Sequence, residues 1–313
     1  MRKFFFTLLF VAIAFTNYAC SICGAGAGNM YMGIYPNYKK SFLCIRHNYE
    51  AYNTFLLNDP MQFSHNFYNT TEIMLGSNIG KRLQVVAVIP YRSILQNHDD
   101  GRFKKTGLGD ISIAANYKIF KSALSSHVPG RLSQEFWIGA GIKLATGFSN
   151  IDFTDTTTTL ADINTQIGSG STSLLFNIRH SMEMSGFGLN TAADWKLGLT
   201  NSQGYRYGNV LTMSSTAYYR IQIKQLSIVP NAGLIYEKLN GNRINGSQII
   251  LKDGIDTGSY ETGGYSFGLI GGLQTSYKRI TLGASIESPI KQEFAKGQTK
   301  LLVKGTVQVT IAL

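Results

Sequence analysis

The sequence has 313 residues, of which 44% are hydrophobic and only 15% are charged. Soluble domains usually carry about 25% charged residues, so this composition argues against an ordinary soluble enzyme. Lysine and arginine total 29 against 18 acidic residues, which gives a formal net charge of +11. In an exported chain, this balance favours anionic lipid headgroups or anionic solutes as partners, and not nucleic acid.

The first residues of the chain predict export. Arg2 and Lys3 provide a positive start, and residues 4–15 form an apolar run that ends in small and polar residues. This order is typical of a secretory signal peptide, so we expect residues 1–19 to be removed. No later run reaches the roughly 18 apolar residues that a membrane-spanning helix needs.

Residues 20–40 form a segment rich in cysteine and glycine. Cys20 and Cys23 have C-x-x-C spacing, and Met30 and Met32 follow closely. Thiolate and thioether sulfurs are ligands for soft ions such as copper. The two cysteines also fit a disulfide formed in an oxidising periplasm, and Cys20 stands where a lipid-modified cysteine would stand. The segment therefore has three open interpretations: a metal site, a disulfide and a lipid anchor.

From residue 41 to residue 313, apolar residues recur at every second position in runs of about ten residues. Period two predicts β-strands, and these runs are as long as membrane-spanning strands. Short connections such as 78–81 and 278–280 alternate with long polar ones such as 150–166 and 241–259. The pattern predicts an all-β fold, a transmembrane antiparallel up-and-down β-barrel of about 12 strands, located in the bacterial outer membrane. The runs are centred near residues 47, 74, 88, 114, 140, 176, 194, 214, 232, 269, 286 and 306.

The polar positions of these runs predict the lining of the lumen. Charged residues on the lipid face would cost about 2–4 kcal/mol each near the midplane of the membrane. Charged residues that occupy only the alternate, polar positions of the strands (one parity) are therefore expected to point inward. Two interpretations stay open: ion pairs that brace a filled barrel, or a water-filled lumen with a mild cationic bias. The predicted lumen-lining residues are Arg46, Glu50, Arg92, Asp110, Lys118, Glu135, Lys143, Arg179, Asp194, Lys196, Arg220, Glu237, Glu287 and Lys304.

Three short motifs carry a family resemblance. Residues 106–111 read TGLGDI at a strand start, residues 145–147 read ATG at the end of the next strand, and residues 168–172 read GSGST. With these motifs, residues 80–313 resemble the outer-membrane family labelled "MetA-pathway of phenol degradation", although Ala145 stands where that family has proline. The resemblance implies an outer-membrane barrel that passes small, often hydrophobic compounds. It implies no residue in contact with the solute.

The sequence favours a transport function over an enzymatic one. The His-x-Ser-Asn-Gly motif of an outer-membrane phospholipase is absent. An Asp/His protease pair could be drawn from His98, Asp99 and Asp100, but this cluster is more typical of a solvated turn. We therefore expect passive transport of a small hydrophobic or anionic solute through a charged lumen, without a cofactor and in contact with outer-membrane lipid. The alternative is a non-conducting structural or copper-handling barrel that uses Cys20, Cys23, Met30 and Met32. The oligomeric state is left open.

Overall fold

A computed structural model describes most of the chain from residue 41 onward. Among the residues that it describes, the one helical element is a single 3-10 turn, Ala295–Gly297. No helix within the described segments is long and apolar enough to cross a membrane. The described residues are 41–55, 63–98, 101–122, 132–149, 166–248, 251–252, 259–260 and 262–313.

Twelve antiparallel strands form one closed wall. Each strand pairs with the next one in the chain. The last strand pairs with the first, with Ala312 opposite Phe42. This closure satisfies the backbone groups that an open sheet would leave unpaired, and it confirms the predicted up-and-down β-barrel. The strands are β1 (Phe42–Phe55), β2 (Phe63–Ile79), β3 (Leu83–His98), β4 in two segments (Gly101–Leu108 and Ser112–Lys121), β5 (Ser133–Lys143), β6 (Ser173–Met184), β7 (Phe187–Gly198), β8 (Val210–Tyr219, extended by Ile221–Ile223), β9 (Leu226–Leu239), β10 (Gly264–Tyr277), β11 (Ile280–Phe294) and β12 (Thr299–Ala312).

The two ends of the barrel differ in their connections. One end, here called the turn end, carries tight turns at residues 80–82, 185–186, 224–225 and 278–279. Ser185, Lys224 and Lys278 adopt positive φ there, as two-residue hairpin turns require. The opposite end, the loop end, carries the longer connections. Three short strands, Tyr205–Arg206, Arg243–Ile244 and Ser247–Gln248, form a small separate sheet within those connections.

Side chains alternate between an apolar outer face and a more polar inner face. On β2, Ile73 is 45% exposed whereas its neighbour Met74 is 1% exposed. The same alternation runs around the wall, and the outward positions present a continuous apolar surface that fits the acyl chains of a bilayer. The exposed outward residues include Ile45, Ile113, Ile138, Phe176, Leu234, Leu269, Leu282 and Val307.

Among the described residues, the interior contains two apolar clusters of five or more side chains and a smaller pair, Tyr218 and Val229. Twelve strands tilted by about 40° enclose a backbone cylinder about 24 Å across, too wide for short side chains from opposite walls to fill. Towards the turn end, five inward side chains from β1, β2 and β3 pack together: Phe42, Cys44, Met74, Val86 and Val88. Towards the loop end, a larger group contacts a segment of chain that enters the barrel: Tyr52, Tyr68, Ile94, Ile167, Phe294, Ala295 and Leu301. Charged residues occupy the height between these clusters.

Candidate functional site

The wall formed by β1 and β2 carries a fully buried ion pair inside the barrel. Arg46 Nη2 lies 2.6 Å from Glu72 Oε2, and both side chains are 5% exposed or less. Asn48 Nδ2 donates a hydrogen bond to the same carboxylate oxygen at 3.1 Å. A buried charge needs such partners because desolvation alone would make it strongly unfavourable.

Next to this pair, three carboxylates surround one lysine. Lys304 Nζ lies 3.5 Å from Glu50 Oε1, and Tyr52 donates its hydroxyl to Glu50 Oε2 at 3.0 Å. Glu287 stands opposite Lys304 in the register between β11 and β12 and is 7% exposed. Glu237, on β9, accepts a hydrogen bond from the Thr212 hydroxyl at 3.4 Å. This side of the lumen is therefore acidic.

The opposite wall carries ion pairs at several heights. Arg179 Nη2 lies 3.3 Å from Asp194 Oδ1. Glu135 Oε1 lies 3.2 Å from Lys118 Nζ, which also sits 4.5 Å from the centre of an inward-facing indole, Trp137. The same carboxylate oxygen lies 2.9 Å from Lys121 Nζ at the turn end. Positive charge on this wall is thus shared among pairs and an aromatic face.

Two carboxylates of the lumen were missed by the sequence analysis. Glu72 pairs with Arg46, and Glu183 lies 3.0 Å from Arg220 Nη2 at the turn end. Glu72 could have been identified from the sequence, because it stands on the opposite parity from the apolar residues Ile73 and Leu75. With these two acids, the eight predicted basic residues are matched by eight acidic ones. The structure places the fourteen predicted residues on the inward parity of their strands or, for Asp110 and Arg220, at inward-facing breaks between strand segments.

The break in β4 is the centre of a hydrogen-bonded knot. Asp110 Oδ2 accepts bonds from Lys143 Nζ at 2.6 Å and from the Ser169 backbone at 2.9 Å, as well as from the Ser169 hydroxyl. Asp110 Oδ1 accepts a bond from the Gly147 backbone at 3.0 Å. The Thr146 hydroxyl accepts the Ile111 backbone N–H at 2.8 Å, a donor that the strand break would otherwise leave unpaired. One carboxylate therefore joins three segments that are distant in sequence.

Residues 166–171, here called the plug segment, are held inside the barrel by this knot. Ile167 is 4% exposed and belongs to an apolar cluster with residues of β1, β2, β3, β11 and β12. Arg92 Nη1 donates a bond to the Ile167 carbonyl at 3.3 Å. Gly168 lies against Gly147 so closely that a Cβ on either residue would overlap the other's backbone. The plug segment thus lies inside the barrel near the loop end, bonded to the wall formed by β3, β4 and β5.

The predicted metal residues lie outside the described part of the chain. Cys20, Cys23, Met30 and Met32 all precede residue 41, where the described residues begin. Among the described residues, no group of three or more His, Cys, Asp and Glu side chains is arranged to hold a metal ion. Cys44 is a free, buried thiol on β1.

A closed 12-stranded wall with an apolar outer band and a charged interior defines the class of transmembrane β-barrels. Within that class, the structure is similar to an outer membrane channel from Pseudomonas putida F1, with a TM-score of 0.62 at 10% identity, over 90% of this chain and 100% of that one. The β-domain of the Bordetella autotransporter BrkA matches with a TM-score of 0.49 at 11% identity, over 88% of this chain and 100% of that one.

The sequence comparisons found no relative. No protein-family model matches the chain, and no curated protein matches it. The resemblance to the "MetA-pathway of phenol degradation" family therefore stays a prediction. The three motifs that carry this resemblance contribute Asp110, Gly147 and Ser169 to the knot.

Proposed function

We propose that this protein is an outer-membrane channel for the passive diffusion of small solutes and that the plug segment gates it. The observation that carries the proposal is a stretch of chain, residues 166–171, that is buried inside the barrel near its loop end and held there by polar bonds. The structurally similar Pseudomonas putida protein is an outer membrane channel, which supports this function.

The contacts of the plug segment suit a gate. Polar contacts on one side hold it to Asp110, Lys143 and Arg92, whereas Ile167 makes apolar contacts on the other side. When the segment moves, hydrogen bonds of this kind can be replaced by hydrogen bonds to water. When the segment is in place, an apolar constriction excludes water. Displacement of one segment would therefore open the loop end.

The electrostatics of the lumen predict weak charge selectivity. Glu72 and Glu183 pair with basic residues of the lumen, so the paired side chains leave little excess positive or negative charge. The mild cationic bias expected from the sequence is therefore reduced. An acidic wall around Lys304 faces a wall with several basic residues, which gives the lumen a transverse field. We expect small polar or amphiphilic solutes to pass with little discrimination by net charge.

Planar-bilayer recording and liposome swelling would test the channel function. The mature protein, refolded and shown to be a heat-modifiable barrel, is expected to give discrete conductance steps. Sugars are expected to enter the liposomes at rates that fall with solute size. Protein-free liposomes are the control. A folded barrel that neither conducts nor passes sugars, both in the wild type and in a variant with a weakened plug, would contradict the proposal.

A further inference from the structure

The outer surface carries a groove on the wall formed by β6, β7 and β8. It has a volume of about 480 Å³ and an apolar floor. Phe176, Trp195 and Leu211 stand side by side in the strand register, and the rings of Phe176 and Trp195 lie 6.2 Å apart. The small side chain of Ala193, one row nearer the turn end, leaves the depression between these larger groups. A groove of this volume can accommodate part of an acyl chain.

The end of the groove nearest the loop end is polar and cationic. Lys238 lies next to Leu211 in the register, and Asn209 and Asn240 line the same groove. The Asn209 Oδ1 atom accepts bonds from the Gly198 backbone and from Arg206 Nη2, at 3.2 and 3.3 Å. Lys238 makes no ion pair with the described residues. The nearest outward carboxylate in line with it across the sheet is Glu293, which lies two strands away, at a distance of about 10 Å.

The position of the groove matches the boundary of the membrane. Trp195 lies eight residues from the turn end of β7, and Lys238 lies twelve residues from the turn end of β9. With the usual strand rise and tilt, these distances correspond to heights of about 20 and 30 Å. The apolar band of such barrels is about 25 Å tall, so the aromatic floor faces acyl chains and the ammonium group reaches the headgroups.

We propose that this groove is a specific binding site for an anionic, phosphate-bearing membrane lipid. One acyl chain lies along Phe176, Ala193 and Trp195, and the phosphate accepts hydrogen bonds from Lys238 and from the amide of Asn240. Arg206, bonded to Asn209, adds a second positive charge beside the phosphate. Charge complementarity selects the headgroup, because every one of these polar side chains offers donors at the same end of an apolar groove.

Fluorescence quenching of Trp195 tests this site in the intact barrel. The chain has two tryptophans, so a Trp137→Phe background leaves Trp195 as the single emitter. The protein is reconstituted in vesicles that contain brominated phosphatidylglycerol or brominated phosphatidylcholine with the same chains. We expect phosphatidylglycerol to occupy the groove with about five-fold preference, the usual effect of one cation near a membrane surface.

Three variants distinguish the site from general lipid contact. Lys238→Gln is expected to abolish the preference for phosphatidylglycerol, and Ala193→Leu is expected to reduce it by filling the groove. Lys291→Gln removes an exposed lysine of β11 outside the groove and is expected to leave the preference unchanged. Equal quenching by both lipids in the parent protein would overturn the proposal, as would an equal loss with Lys291→Gln. Quenching that weakens as the protein-to-lipid ratio rises would indicate a second copy of the chain in the groove and would also overturn it.

Discussion

Replacing Asp110 with asparagine is the most direct way to loosen the plug segment. The wild-type carboxylate accepts bonds from Lys143, from Gly147 and twice from Ser169, and it is 8% exposed. Asparagine has nearly the same volume but carries one acceptor oxygen and no charge. The variant therefore weakens the knot without creating a cavity.

The size of the effect follows from the number of bonds lost. A hydrogen bond to a charged group contributes about 1.5–3 kcal/mol, and the variant loses about two of them. It also leaves the Lys143 ammonium, 12% exposed, without its carboxylate. A loss of about 3–6 kcal/mol in the stability of the closed state would raise the ratio of open to closed channels by about two to four orders of magnitude.

Single-channel recording in planar bilayers measures this ratio. We expect Asp110→Asn to give longer and more frequent openings at an unchanged unitary conductance, because the wall of the lumen is intact. Glu135→Gln is the matched control, since that carboxylate also binds lysines, Lys118 and Lys121, but lies on the wall near the turn end, away from the plug segment. The reasoning is refuted if both variants change the open fraction equally, or if Asp110→Asn, folded and heat-modifiable, leaves it unchanged.

Three further predictions concern packing and exposure. Ile167→Ala is expected to weaken the apolar contacts of the plug by about 2–4 kcal/mol and to raise the open fraction in single-channel recordings, whereas Ile286→Ala, at an exposed outward position, is expected to have no effect. Val307→Lys, on the outer face near mid-height, is expected to cost about 2–4 kcal/mol in urea titrations of folding into vesicles, and a cost near zero would argue against lipid contact there. Cys44, 4% exposed, is expected to react with a maleimide only after unfolding, in a variant whose two N-terminal cysteines are serine; rapid labelling of the folded barrel would contradict the packing around it.

The barrel could be predicted from the sequence because its wall obeys one simple rule. Lipid outside and charge inside favour alternation, so the opposite orientations of Ile45 and Arg46, or of Lys304 and Val307, are visible without a structure. Strand pairing between neighbours and closure then follow from the even number of runs. The break in β4 obeys no periodicity. Asp110 could be predicted as a lumen-lining residue at the start of a strand, but its bonds to Ser169 and Gly147 could not.

The plug segment could not be predicted because its position depends on contacts between distant segments. Its residues 166–171 are small and polar, which is typical of an exposed loop, and only Ile167 provides an apolar anchor. The family resemblance indicated which short motifs matter, but it did not indicate that they meet. A buried carboxylate that collects donors from three segments has no signature at any single position.

The pairing of β12 with β1 has a consequence for how this protein is made. The two halves of that seam, such as Phe42 and Ala312, stand at opposite ends of the described chain, so the wall cannot close until its final strand has been delivered. Until then the nascent sheet has two unsatisfied edges, each able to pair with another chain. Contacts of such long sequence separation form slowly, which lengthens that exposure. We therefore expect that chains that are overproduced and not inserted form aggregates joined edge to edge.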